Sequence, residues 1–144
     1  MSIDINALKT GIYNKLNISA ITDLVIGIFH KRAPQGTAFP YILFWIVTGS
    51  NRNTFGTWGD SLILQIDVFC KDKNKAGTAV SGATHCGVIS EAVTAAMDEA
   101  DISANGYSNI FCQRQGPPRD LFEEDVEVFH AVLEYRIIIG KSKT

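Results

Sequence analysis

A chain of 144 residues with 46% hydrophobic and 19% charged residues is long enough for one domain with a sizeable core, which excludes disorder and any need for a metal or disulfide to hold the fold. Thirteen Lys and Arg face fifteen Asp and Glu, a net charge of −2, and the cations are scattered, which speaks against a sequence-reading nucleic-acid binder. The longest apolar run, Tyr41 to Val47, is far below the ~18 residues of a membrane span.

The N-terminus, MSIDINALK, has an acidic residue where a secretory signal is basic and has no apolar stretch behind it, so a cytosolic protein, or one assembled in a cytosol, is expected. Ile5, Leu8, Ile12 and Leu16 recur at helical spacing after Asp4, a good N-cap, and predict an amphipathic helix over 5–17. A loose apolar stretch leads to a short strand over 27–31. Pro34, Gly36 and Pro40 then punctuate the chain, and Pro40 biases Phe39 toward an extended backbone. Tyr41 to Thr48 is apolar on both parities, as a central strand covered on both faces would be. Gly49 to Gly59, with three glycines and two aromatics, reads as a long hairpin loop.

Residues 62–70 alternate, with Leu62, Leu64, Ile66, Val68 and Cys70 on one face and Gln65 and Asp67 on the other, so one side is solvated or meets a partner. Cys86, Ile89, Val93, Ala96 and Met97 form the stripe of a second helix within 78–100. Asp98, Glu99 and Asp101 oppose its dipole, so this end should fray or be held from outside. A strand over 108–115 stops at Gly116, Pro117 and Pro118. A last strand over 126–139 places Leu133, Tyr135 and Ile137 inward and His130, Glu134 and Arg136 outward. The whole chain, 1–144, is therefore expected to form one α+β domain: a mostly antiparallel sheet of four to five strands with two helices on one face. Trp45, Ile66, Val93 and Leu133 are expected to share its core.

Gly59-Asp60-Ser61-Leu62 spells the tetrapeptide of the GDSL-type serine hydrolases. That chemistry needs Ser61 at a turn into a helix and a histidine base near the C-terminus. Here Ser61 is expected to open a strand, and Asp125 and His130 have the wrong spacing for the rest of the triad. His30, His85 and His130 fall on three different elements without a second ligand at helical spacing. No glycine-rich phosphate loop follows a strand, so neither a metal nor a nucleotide cofactor is expected. Cys70, Cys86 and Cys112, without C-x-x-C spacing, read as reduced, buried thiols.

Two stretches suit contacts with other proteins. In the Gly49 to Gly59 segment, Phe55 and Trp58 offer apolar area with few rotors to freeze, and Asn51 and Arg52 offer directional polar contacts. If it is a docking arm it should be mobile until assembled; if Phe55 and Trp58 fold back on the sheet, it is structural. The acidic stretch Asp120 to Glu127, with Glu123, Glu124 and Asp125, reads as a solvated loop, a surface that repels DNA, or one that pairs with Arg114 or Arg119 of a neighbouring copy.

Ala33-Pro34-Gln35-Gly36-Thr37-Ala38-Phe39-Pro40-Tyr41 resembles the strand-opening motif of the tail terminator or tail-completion proteins of long-tailed phages. The order and spacing of elements are similar over roughly residues 8–139. The resemblance implies a structural, non-enzymatic virion protein assembled in the host cytoplasm. It implies a homo-oligomeric ring, commonly of six copies, that caps the tail tube protein, ends tail growth and offers a docking surface to the head-tail connector or neck. DNA would pass its lumen without specific binding. Another neck or head-completion protein is the alternative within this class; a hydrolase using Ser61 and a small ligand-binding oligomer are the alternatives outside it.

Overall fold

The chain turns into its first helix where Asp4 caps it: the carboxylate accepts from the N–H groups of Asn6 at 2.9 Å and Ala7 at 3.4 Å. In this computed structural model, which describes residues 4–102 and 107–143, α1 (Ile5–Leu16) buries Leu8, Ile12 and Leu16 completely. A single turn, α2 (Ser19–Thr22), follows and inserts Ile21 into the same core. The strands are β1 (Gly27–His30), β2 (Tyr41–Asn51), β3 (Thr57–Cys70), β4 (Ser108–Arg114), β5 (Arg119–Glu123) and β6 (Val128–Ser142), with α3 (Gly82–Met97) between β3 and β4.

The sheet runs β1-β2-β3-β6-β4, and β5 also pairs with β6. It has six strands, one more than expected, because the acidic stretch read as a loop is strand β5 in its first half. Only β1 and β2 pair in parallel, joined by the Pro34–Pro40 connection, whose Phe39–Pro40 peptide is cis. All other pairs are antiparallel. β4 and β5 lie in line along one side of β6. Gln115 still bonds to Glu134, and the ladder resumes at Arg119 opposite Val132, so Gly116, Pro117 and Pro118 are looped out of what is otherwise one edge.

All helices cover one face. Leu62, Leu64, Ile66, Val68 and Cys70 of β3 face them beside Ala131, Leu133, Tyr135 and Ile137 of β6, and Cys86, Ile89, Val93 and Met97 of α3 close the layer. Ile66, Val93 and Leu133 share this core as expected. Trp45 does not. Its neighbours Ile42 and Phe44 take the helix side of β2, so the pleat turns Trp45 to the uncovered face.

α3 begins later than its apolar content suggests. The side chain of Asn74 accepts from the N–H groups of Ala76 and Thr78 and folds residues 74–78 into a turn, and the helix starts only after Ser81, whose hydroxyl caps Thr84. Its acidic C-terminal end is held within the chain. The Tyr135 hydroxyl donates to Asp98 at 2.6 Å, and Arg114 lies 3.4 Å from the same carboxylate. Cys70, Cys86 and Cys112 are free and buried; burial pushes the Cys112 thiol up to about 11.

Candidate functional site

The uncovered sheet face is neither a second core nor plain solvent surface. Asp67, only 4% exposed, sits at its centre and is surrounded by donors: Gln65 Nε2 at 3.0 and 3.2 Å, Trp45 Nε1 at 3.3 Å, and His130 Nε2 at 2.9 Å. Three donor groups around it offset the cost of burying this carboxylate. The other nitrogen of His130 lies 3.9 Å from Glu123. Beside this network, rings step across the strands: Phe29 to Tyr41 at 6.3 Å, Tyr41 to Phe69 at 5.2 Å, and Phe69 stacked on His130 at 4.2 Å. Phe39 joins at 5.1 Å from Tyr41 and carries Lys71 over its ring. Sequence reasoning missed this ladder, because its members become neighbours only through strand register.

Ser61 lies inside β3 as its fifth residue rather than opening it, since the strand begins at Thr57. It is buried, and its hydroxyl accepts from Arg136 Nη1 at 2.7 Å. The position of His130 on the sheet is opposite Phe69, eight residues further along β3 and so about 26 Å away. Among the described residues no histidine hydrogen-bonds to Ser61, and it lies within a strand rather than at a turn into a helix. The hydrolase tetrapeptide therefore lacks the base that would activate its serine.

The segment read as a long loop is mostly strand. Gly49, Ser50 and Asn51 continue β2, Thr57, Trp58 and Gly59 begin β3, and only 52–56 turn. The turn is braced: Arg52 N–H bonds to Gly59 O at 2.8 Å, Thr54 N–H to Thr57 O at 2.8 Å, Gly59 N–H to the Asn53 side chain at 3.0 Å, and Lys143 N–H to Gly56 O at 3.0 Å. The two aromatics part company. Trp58 folds back on the core with Lys143 4.2 Å above its ring, whereas Phe55 at the apex is 103% exposed. Arg52, Lys141 and Lys143 surround this tip.

The acidic stretch lies at the other end of the sheet. β5 is exposed at every position, and residues 124–127 turn into β6 with Glu127 at φ 54°. Neither Glu124 nor Asp125 is paired with Arg114 or Arg119 of its own chain. Arg119 bonds to Glu134 at 2.8 Å, and Arg114 pairs with Asp98, both within the chain. Leu121, Phe122 and Val126, each about half exposed, stand among these carboxylates.

The family of tail completion protein gp17 matches residues 12–140 of the chain. Among solved structures, a chain from the virion of a native gene transfer agent particle aligns with a TM-score of 0.71 at 15% identity, covering 94% of this chain and 96% of its own. It shares the fold. A second solved chain aligns over 98% of this chain and 96% of its own at 10% identity, with a TM-score of 0.48. No curated protein matches the chain.

Proposed function

Because the chain belongs to the tail completion protein gp17 family, we propose that it works as a tail terminator: a homo-oligomeric ring, of six copies, that caps the tail tube, ends its growth and offers the head its docking surface. The family match over 12–140 carries this reading. The structure adds physical support. One sheet face has no helix over it yet displays half-buried rings, and both ends of the sheet carry large apolar side chains in solvent, which suits a subunit that finishes its surface in an assembly. Work of this kind is done by shape and contact rather than by bond making, and Ser61, held by Arg136 without a base, fits a protein with no catalytic role.

In the assembled virion the tip residues Asn51, Arg52 and Phe55, with Trp58 behind them, meet the tail tube or an adjacent subunit, and the carboxylates Glu123, Glu124 and Asp125 lie where they reduce affinity for DNA or meet a neighbouring subunit. Assembly takes place in the host cytoplasm, and the chain contacts the tube protein on one side and the neck on the other. The test is direct. Purified protein imaged by negative-stain electron microscopy should give rings, and particles made without it should carry tubes of irregular length and no heads. A protein that stays monomeric with tubes present, and whose loss leaves tails of normal length joined to heads, would end this reading.

A further inference from the structure

Resting on the ring reading above, we propose that neighbouring copies join end to end, the β2–β3 turn of one copy seating on the β5–β6 hairpin of the next. The two surfaces sit at opposite ends of the longest strands. Trp58 pairs with Lys141 at one end of β3 and Cys70 with Phe129 at the other, so the ends are about 40 Å apart. They are opposite in sign. Arg52, Lys141 and Lys143 gather at the turn, and among the described residues none has a carboxylate within ion-pair distance; Lys143 and Lys141 instead lie over the rings of Trp58 and Tyr107. Glu124, Asp125 and Glu127 gather at the hairpin, equally without a cation in ion-pair distance.

The nearer arginines are already engaged within the chain, Arg119 by Glu134 and Arg114 by Asp98. Arg52, Lys141 and Lys143 at the far end are among the cations that no carboxylate holds. Apolar surface matches as well. Phe55 projects fully from the basic end, and Phe122 and Val126 stand half exposed at the acidic end, with Phe122 backed by Phe129 at 4.7 Å. An exposed ring on a braced turn loses little freedom on docking, and the surrounding charges select the partner and its orientation. A two-fold contact would set like charges against each other at either end. A head-to-tail contact pairs them, and this is the kind of contact that closes into a ring. A polyanion such as duplex DNA fits the basic end alone and leaves the acidic end unmatched.

The experiment uses the full chain with three variants: Arg52→Glu with Lys143→Glu, Glu124→Lys with Asp125→Lys, and Phe55→Ser. Ring and monomer are counted by light scattering after size exclusion, with thermal midpoints as the folding control. Phe55 touches nothing in its own subunit, so its variant separates docking from folding even if a reversal unfolds the chain. Each variant should raise the concentration of half-dissociation about tenfold or more, since several pairs of modest strength are lost together. Mixing the two reversed proteins should restore rings, because each then carries the end the other needs. Wild-type rings should also loosen as salt rises from about 0.05 M to about 0.5 M.

Wild-type rings with all three variants assembling normally would overturn the end-to-end contact and leave the ring reading standing. A wild-type chain that is monomeric alone and on tail tubes would overturn both. Should the Arg52→Glu, Lys143→Glu protein keep its rings but lose retention of duplex DNA, the basic end is a polyanion surface and the proposal fails.

Discussion

The hydroxyl of Tyr135 joins the core to the end of α3. The side chain is wholly buried, and its only polar atom reaches Asp98. Burial first, and then the Asp98 carboxylate, push its ionisation well above the usual tyrosine range, and burial raises Tyr41 and Tyr107 as well. A folded-state value raised above the unfolded one means that the stability involved is intact below about pH 10 and is lost as pH rises beyond it, when the unfolded chain releases its proton first. Tyr135→Phe should therefore cost about 1.5 kcal/mol at neutral pH, for a lost bond to a charged group, and should flatten the decline above pH 10. Urea midpoints at neutral and alkaline pH measure both effects; unchanged alkaline slopes would show that Tyr135 is not the group responsible. In the centre of the same core, Ile66→Ala and Leu133→Ala should each cost ~2–5 kcal/mol in the same assay, whereas Trp45→Phe should cost well under that, having only one bond to Asp67 to lose. Trp45 was misread because Tyr41 to Thr48 is apolar on both parities, and a tryptophan on such a strand looks inward whichever way it points.

The β2–β3 hairpin marks the boundary of what the sequence could tell. Glycine, asparagine and threonine around residue 50 carry no alternating apolar signal, yet the strands continue because β6 runs alongside as a fifteen-residue partner and satisfies the β3 backbone as far as Thr57. Strand β5 was hidden for a related reason: each of its side chains is exposed, so no parity is buried and nothing in its pattern separates it from a solvated loop. Helices α1 and α3, strands β3 and β6, and the helix-covered face were legible, because each buries one face at a fixed period. The exposure of Phe55 was legible, but its separation from Trp58 was not, since a three-residue offset in a presumed loop says nothing about which ring folds back. Their substitutions should now differ. Phe55→Ser should leave the thermal midpoint within a degree or two, while Trp58→Ser should destabilise by ~1–3 kcal/mol through lost packing. At Gly59, a Cβ would stand 2.8 Å from the carbonyl oxygen of Arg52, part of the backbone. Gly59→Ala should therefore open the turn and speed amide exchange at Arg52 and Thr54, and exchange as slow as in the parent would show that the strands can part to admit a methyl group.

At the scale of the molecule, the arrangement of helices on one face of a six-strand sheet persists in a gene transfer agent virion chain at 15% identity, which is what packing by shape allows when apolar character and volume are kept. The sheet's outer side from β4 to β5 carries a further consequence. A long, flat strand with free backbone groups would recruit other chains into stacked fibres. The excursion of Gly116, Pro117 and Pro118 cuts that template into two short lengths, and neither proline has an N–H to offer a passing strand. Pro117→Thr with Pro118→Val should make concentrated solutions turn turbid within hours, with the melting temperature of the dilute protein unchanged. Clear solutions over days would mean that solubility has another source. The interruption thus acts as shelf life, keeping the protein dispersed without weakening its fold.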